Sequence, residues 1–143
     1  MNIAKLMIPK VCTVVLRESQ TVRQGLETLL RCHYTAIPVL DDEGRYVGSV
    51  TEGDFLHQLL QAGTTDPKAQ ERSRIGDILR KDFCPALSIE ESSAVVVAAA
   101  MRQNFVPVVD SRGALCGIVT RQRVIGELAR LAGISQEEKP SGE

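Results

Sequence analysis

Two seven-residue stretches, GSVTEGD (Gly48 to Asp54) and GIVTRQR (Gly117 to Arg123), hold the residue types best placed to do chemistry. In each, a Thr precedes a helix-forming segment. The free amides and positive dipole end of a helix N-terminus favour an anion such as phosphate. Asp54 follows Thr51 by three residues, which is also the spacing of a capping box that satisfies the helix's own first amides with no ligand at all. After Thr120 the acid is gone. Arg121 and Arg123 put two cations into one first turn, against the dipole, at a cost of a few tenths to about 1 kcal/mol. An anionic ligand or a neighbouring carboxylate would repair that clash, and guanidinium forks match phosphate bidentately. Two solvated arginines making surface ion pairs are the alternative.

The remaining reactive residues read as structural. His33 and His57 have no Ser, Cys or carboxylate at a catalytic spacing. Asp41, Asp42 and Glu43 cluster in a turn, where acids favour turn geometry over metal binding. Cys12, Cys32, Cys84 and Cys116 form no CxxC pair, and the apolar neighbours of Cys12 and Cys84 suggest buried strands carrying free thiols. We expect no enzyme, no metal site and no required cofactor. The chain has 143 residues, 43% hydrophobic and 24% charged, with net charge -1. It therefore has no field to attract nucleic acid or an anionic membrane. Its longest apolar run, Ala94 to Met101, falls far short of the ~20 residues that cross a bilayer. No basic-plus-apolar leader pattern opens the chain, and a cytoplasmic protein is expected.

An internal repeat positions these residues. Ile37 to Leu60 aligns with Val106 to Ala129 at an offset of 69, without a gap, with eight identities: Pro38/Pro107, Val39/Val108, Asp41/Asp110, Gly44/Gly113, Gly48/Gly117, Val50/Val119, Thr51/Thr120 and Leu59/Leu128. Each copy reads as two short strands around an Asp/Gly turn, followed by a helix. Phe55, Leu56, Leu59 and Leu60, or Val124, Ile125, Leu128 and Ala129, form that helix's apolar stripe. Thr21 and Gln24 form a capping box opening a helix lined by Val22, Leu26, Leu29 and Leu30. Its counterpart, Ser93 to Met101, has three valines that would suit a strand, but the repeat argues for a buried helix. Short segments VCTVVL and FCPALSI supply leading strands, so the unit is β-α-β-β-α. We expect an N-terminal helical segment and first repeat over 1–60, a polar linker over 61–73, a second repeat over 74–131 and a disordered tail over 132–143.

The segments TAIPVLDDEGRYVGSVTEGDFL and FVPVVDSRGALCGIVTRQRVI resemble the two halves of a tandem CBS-domain pair, or Bateman module, across roughly residues 3 to 131. The resemblance implies two units about a pseudo-twofold axis, a disc-shaped homodimer, and adenosine-containing ligands in two clefts between the units. It implies no catalysis, and a stand-alone pair would report ligand occupancy to a separate protein partner. By the same resemblance, pocket one combines Thr51 and Asp54 with Ala86, Asn104, Phe105 and Val106. Pocket two combines Thr120, Arg121 and Arg123 with Thr13, Val14, Tyr34, Thr35, Ala36 and Ile37. Gly48 and Gly117 are expected to let backbone pass close to the ligand.

Asp54 stands where the family holds ribose hydroxyls, a task for an acceptor-only group. Against pocket one, the second repeat is two or three residues shorter before Pro107 than the first is before Pro38, which trims the adenine wall. Pocket two has the fuller wall but lacks the ribose acid. Tyr34 could stack on a purine there or fill the interface. YTAIPVLD together with VTR and VIGEL is similar to small stand-alone CBS proteins of Gram-positive bacteria that bind cyclic di-AMP. AMP, ADP and ATP stay open beside it. The expected function is an adenine-nucleotide-sensing regulatory module that does not hydrolyse its ligand. A ligand-free dimerisation or interaction scaffold is the alternative.

Overall fold

A computed structural model of the chain describes residues 2–134. In chain order its elements are α1 (Ile3–Leu6), β1 (Ile8–Pro9), a 3₁₀ turn (Lys10–Cys12), β2 (Leu16–Arg17), α2 (Val22–Cys32), β3 (Ala36–Leu40), β4 (Tyr46–Thr51) and α3 (Glu52–Ala62). There follow α4 (Pro67–Gln70), α5 (Ile75–Ile78), β5 (Leu87–Ser88), α6 (Ser93–Arg102), β6 (Phe105–Val109), β7 (Leu115–Thr120) and α7 (Arg121–Leu131). The β-α-β-β-α unit thus occurs twice, as β2-α2-β3-β4-α3 and β5-α6-β6-β7-α7, in a mixed α/β fold. Each leading strand runs parallel to the first hairpin strand, with Leu16 opposite Val39 and Leu87 opposite Val108. The hairpins are antiparallel, and their matched ends set Ala36 opposite Thr51 and Phe105 opposite Thr120.

Local chemistry explains the elements. Asp41 closes the first turn by accepting from the amides of Glu43 and Arg45 at 2.9 Å each, and Asp110 does the same for Arg112 and Ala114 at 2.8 and 3.0 Å. Arg45 also pairs with Asp41, which, with the amide of Arg45 contributing most, holds that carboxyl below its ordinary range. The Thr21 and Gln24 box opens α2. Ser93 to Arg102 is helical despite its valines, because Val96, Ala99 and Ala100 are buried on one side, as the repeat requires.

Two sequence expectations need correction, and a third gains detail. The leading strands are two residues each. Most of VCTVVL is turn and loop, with Val11 92% exposed and Cys12 exposed, so only Cys84 of the two thiols is buried. The apolar stripes are wider than the core they serve. Phe55 and Val124 are buried, but Leu30, Leu56, Leu60, Ile125 and Leu128 face outward. The segment 61–73, expected as a polar linker, is partly folded: α3 runs into it, Asp66 and Pro67 start α4, and Gln70 is buried. The tail expected from 132 lies outside the described residues after 134.

The cores show how the two units interlock. One contains Ile3 and Leu6 of α1 together with Val96, Val106, Val119 and Val124 of the second repeat. The other contains Ile75 of α5 together with Val22, Ile37, Val50 and Phe55 of the first. Each repeat therefore borrows the short helix that leads into the other repeat, and the N-terminal segment expected with repeat one packs on repeat two. The exchange follows a second register, offset 72, in which Ile3, Leu6 and Met7 correspond to Ile75, Ile78 and Leu79. β1 pairs with β7, Pro9 opposite Gly117, and at the equivalent place Arg80 bridges Ser49.

Gly48 and Gly117 make that crossing possible. A Cβ on Gly117 would stand 2.1 Å from the Ile8 carbonyl oxygen, and one on Gly48 would stand 2.8 Å from that of Arg80. What passes close to these glycines is the chain's own backbone, which corrects the expectation of a ligand there. Gly117→Ala should lower stability to urea by about 2–3 kcal/mol, because β1 must move off β7. Gly53→Ala, whose nearest neighbour would be 3.6 Å away in a helix, should be neutral or stabilise by up to about 1 kcal/mol. Equal midpoints for the two variants would show that the crossing is not tight.

Candidate functional site: the cleft between the repeats

A half-open cavity of about 230 Å³ lies where the two hairpins and the N-terminal crossing meet. Strand alternation decides its walls. Successive side chains of a strand point to opposite faces, so Ala36 and Pro38 of β3 line the cavity while Ile37 is 1% exposed in the core. Ile118 and Thr120 of β7 line it while Val119 is fully buried. Phe105 likewise lines it and Val106 does not. For Ile37 and Val106, which were grouped with their neighbours in the sequence reading, only the backbone is left to face a ligand.

The rest of the wall comes from Thr13 and Val14 after the 3₁₀ turn, Tyr34 and Thr35 before β3, Asn104 before β6, and Ile8 and Cys12. Thr13, Val14, Tyr34, Thr35, Ala36 and Thr120, the residues expected in pocket two, are thus brought together. Asn104 and Phe105, expected in pocket one, stand in the same cavity. Ile8, Cys12, Pro38 and Ile118 were not anticipated; alternation along PVL and GIVT, and the offset-72 register, carried the signal. The lining is mainly apolar, with hydroxyl and amide groups from Thr13, Tyr34, Thr35, Asn104 and Thr120. The Thr13 hydroxyl is tied to the Pro9 carbonyl at 2.9 Å, and the carbonyls of Thr35 and Asn104 accept from the amides of Glu52 and Arg121 at 3.1 and 2.9 Å. These bonds fix the loops that form the walls.

The two arginines of α7 part company. Arg121 turns away from the cavity and donates its Nε to the Ala100 carbonyl at 2.7 Å, with Nη2 3.5 Å from that of Met101. Its cation thus serves the negative C-terminal end of α6, which offsets its poor place in α7. Arg123 is exposed. Its amide caps on the Thr120 hydroxyl at 3.2 Å, and its side chain borders an open groove that also includes Leu6, Gln122 and Ile125. That groove lies next to the cavity, with Ile8 and Thr120 in the lining of both.

The residues expected in pocket one are arranged differently. Thr51 and Asp54 do form the capping box: the Asp54 carboxylate accepts from the Thr51 amide at 2.8 Å, and the Asp54 amide donates to the Thr51 hydroxyl at 3.3 Å. Asp54 also pairs with Arg80, Nε to Oδ1 at 3.0 Å. Ala86 is half-buried and borders neither cavity on this side. What is left of this cleft is a separate space of about 220 Å³ bounded by Phe83, Cys84, Arg102 and Gln103, with Ala36, Asn104 and Phe105 shared between the two. Its floor is tightly bonded. Tyr46 donates to the Cys84 carbonyl at 2.6 Å, and Gln103 Nε2 donates to the Cys84 sulfur and the Phe105 carbonyl at 3.2 and 3.0 Å. Burial raises the Tyr46 hydroxyl's pKa and pushes that of the Cys84 thiol up to about 11. Among the described residues no cluster of three or more His, Cys, Asp or Glu could hold a metal ion, and no helix is long and apolar enough to cross a membrane.

Comparison with known proteins agrees with this geometry. The CBS domain family model matches residues 3–61 and 75–130, and the chain belongs to that family, as a tandem pair. A crystal structure of the CbpB protein of Listeria monocytogenes in complex with c-di-AMP superposes with TM-score 0.78 and 26% identity, covering 92% of this chain and 97% of that one. A structure of CBSX2 in complex with AMP gives TM-score 0.73 at 23% identity, covering 92% and 98%. Inosine-5'-monophosphate dehydrogenase of Mycobacterium tuberculosis strain ATCC 25618 / H37Rv is 28% identical over 111 residues, 75% of this chain. The match spans 19% of that enzyme's length, so the likeness is to one segment of it.

The two thiols beside the clefts should behave oppositely. With a thiol reagent at pH 8, mass mapping should find Cys12 labelled quickly in the native protein and Cys84 only after urea unfolds it, since its thiol stays protonated and covered. Equal native rates would mean that the floor of the smaller space opens readily.

Proposed function

We propose that this CBS pair is a ligand-sensing regulatory module that holds an adenine nucleotide in the cavity bordered by Tyr34, Ala36, Phe105 and Thr120 and signals its occupancy to a separate protein. The observation that carries this reading is a half-open, mainly apolar cavity lined by both repeats, beside an open groove at the N-terminus of α7. About 230 Å³ lies below the roughly 300–1,000 Å³ of pockets that enclose drug-sized ligands. The cavity therefore suits a purine with its ribose, the base between Tyr34, Ala36 and Phe105. Phosphate would then emerge past Thr120, where the dipole and Arg123 favour negative charge. A second phosphate or nucleoside would follow the groove outward, which accommodates ADP, ATP or cyclic di-AMP as well as AMP. That solved relatives were crystallised with c-di-AMP and with AMP supports the ligand class.

A homodimer is part of the reading. Leu30, Leu56 and Leu60 on α2 and α3, and Met101, Ile125 and Leu128 on α6 and α7, leave apolar faces in water, which a second copy of the chain would cover. A ligand-free scaffold is the competing reading, and the self-filled state of Asp54 favours it for one of the two clefts.

A thermal-shift and calorimetric panel of AMP, ADP, ATP, cyclic di-AMP and S-adenosylmethionine separates the two. At a hundredfold excess over its Kd a true ligand adds about 2.7 kcal/mol, several degrees in Tm. Arg123→Ala should then weaken a phosphate-bearing ligand about tenfold. Arg121→Ala should lower stability by about 1 kcal/mol and leave affinity unchanged, because its guanidinium serves α6. The bound nucleotide should also slow labelling of Cys12. No shift with any compound would favour the scaffold.

A further inference from the structure

We infer that Arg80 is a built-in occupant of the second cleft, so that each chain offers one nucleotide site and keeps the other shut; this rests on the reading of the open cleft given above. The two clefts are built from corresponding positions of the two repeats, most of which carry different residues, and the exchanges that alter charge fall at two of them. In the offset-72 register Ile8 corresponds to Arg80, Val11 to Phe83 and Cys12 to Cys84. In the offset-69 register Arg123 corresponds to Asp54 and Thr120 to Thr51.

At the open cleft, Ile8 is an apolar wall and Arg123 is exposed, with no acid paired to it among the described residues. At the shut one the charges are inverted and already matched. The Arg80 Nε lies 3.0 Å from Asp54 Oδ1, its Nη2 donates to the Thr51 hydroxyl at 3.3 Å, and its guanidinium stacks 4.2 Å from the Phe83 ring centroid. Both oxygens of Asp54 are engaged, Oδ2 by the Thr51 amide and hydroxyl at 2.8 and 3.0 Å and Oδ1 by Arg80. The acceptor that would hold ribose hydroxyls is therefore taken by the protein's own cation. The Arg80 and Phe83 pair also divides the cleft, for neither Thr51 nor Asp54 borders the space of about 220 Å³ that remains.

The latch is held by its side chain and can be removed without dismantling the fold. Contact with Gly48 is made by the Leu79 side chain and the Arg80 backbone, which a substitution at Arg80 retains. The Arg80 side chain is half exposed, at 51%, so its pairing with Asp54 is of the weak, solvent-screened kind.

The test is the number of sites per chain, counted by calorimetry with AMP and, separately, with cyclic di-AMP, on the full chain and on Arg80→Ala. Arg80→Ile, which copies the residue of the open cleft, serves if the alanine variant is unstable. The variant should bind one more nucleotide per chain than the parent, and adding Asp54→Ala should remove that extra site. The parent's own count reads the open cleft independently. A parent that binds none and a variant that binds one would refute the open-cleft reading while sustaining the latch. Equal counts for parent and variant with both probes, or a site lost on removing Arg80, would overturn the latch.

Discussion

The backbone crossing at Gly117, with its counterpart at Gly48, is the contact on which the rest of the structure depends. At each of them a strand of one repeat accepts the lead-in segment of the other, at a distance that no side chain would permit. The crossing delivers α1 into the core of the second repeat and α5 into the core of the first, so neither unit completes its own core. Units of this size bury too little surface to be firmly stable alone. Exchange of the short helices makes one cooperative body of two marginal ones. It also brings Ile8 and the turn at Cys12 over the hairpins, and thereby creates the cavity.

From that constraint the walls follow by simple periodicity. The valines and isoleucines that close each core occupy alternate strand positions, and the positions between them, Ala36, Pro38, Ile118 and Thr120, are left to the cleft. The core and the cleft therefore draw on opposite faces of the same strands. The hairpins also meet each other, with the Tyr46 amide donating to the Gly113 carbonyl and the Leu115 amide to that of Gly44, at 3.0 and 3.1 Å. A group held between them touches both repeats at once.

Much of this was legible in the sequence because it is written in local chemistry and in a repeat. The Thr21 and Gln24 box, the Asp/Gly turns, the antiparallel pairing of TAIPV with its partner strand and the helical state of the valine-rich Ser93–Arg102 all follow from short-range rules applied twice. The gathering of Thr13, Tyr34, Ala36 and Thr120 at one cleft followed from a family resemblance. What was missed depends on partners distant in sequence. The destination of α1 and α5 is invisible to local propensity, since Ile3 and Ile75 would pack equally well on either core. The role of Arg121 was read from its place on α7, although its partners are the last carbonyls of α6. Leu30, Leu56 and Ile125 were read as parts of apolar stripes and lie exposed, because periodicity marks an apolar face without stating what covers it.

Two clefts at corresponding places in the repeats are thus lined differently, and the physical logic of that asymmetry bears on signalling. A sensor responds only if its ligand favours one state of the protein over another. A ligand in the open cleft would bridge the N-terminal turn, both hairpins and the first turn of α7, and would restrict their relative motion. The Arg80 and Asp54 pair, with the Arg80 contact to Thr51, links β4 and α3 to the segment entering the second repeat, an intramolecular bridge on the other side. A ligand in the open cleft would therefore add its bridge on the side of the molecule that carries α1, Arg123 and the exposed end of α7, where no equivalent ion pair stands among the described residues.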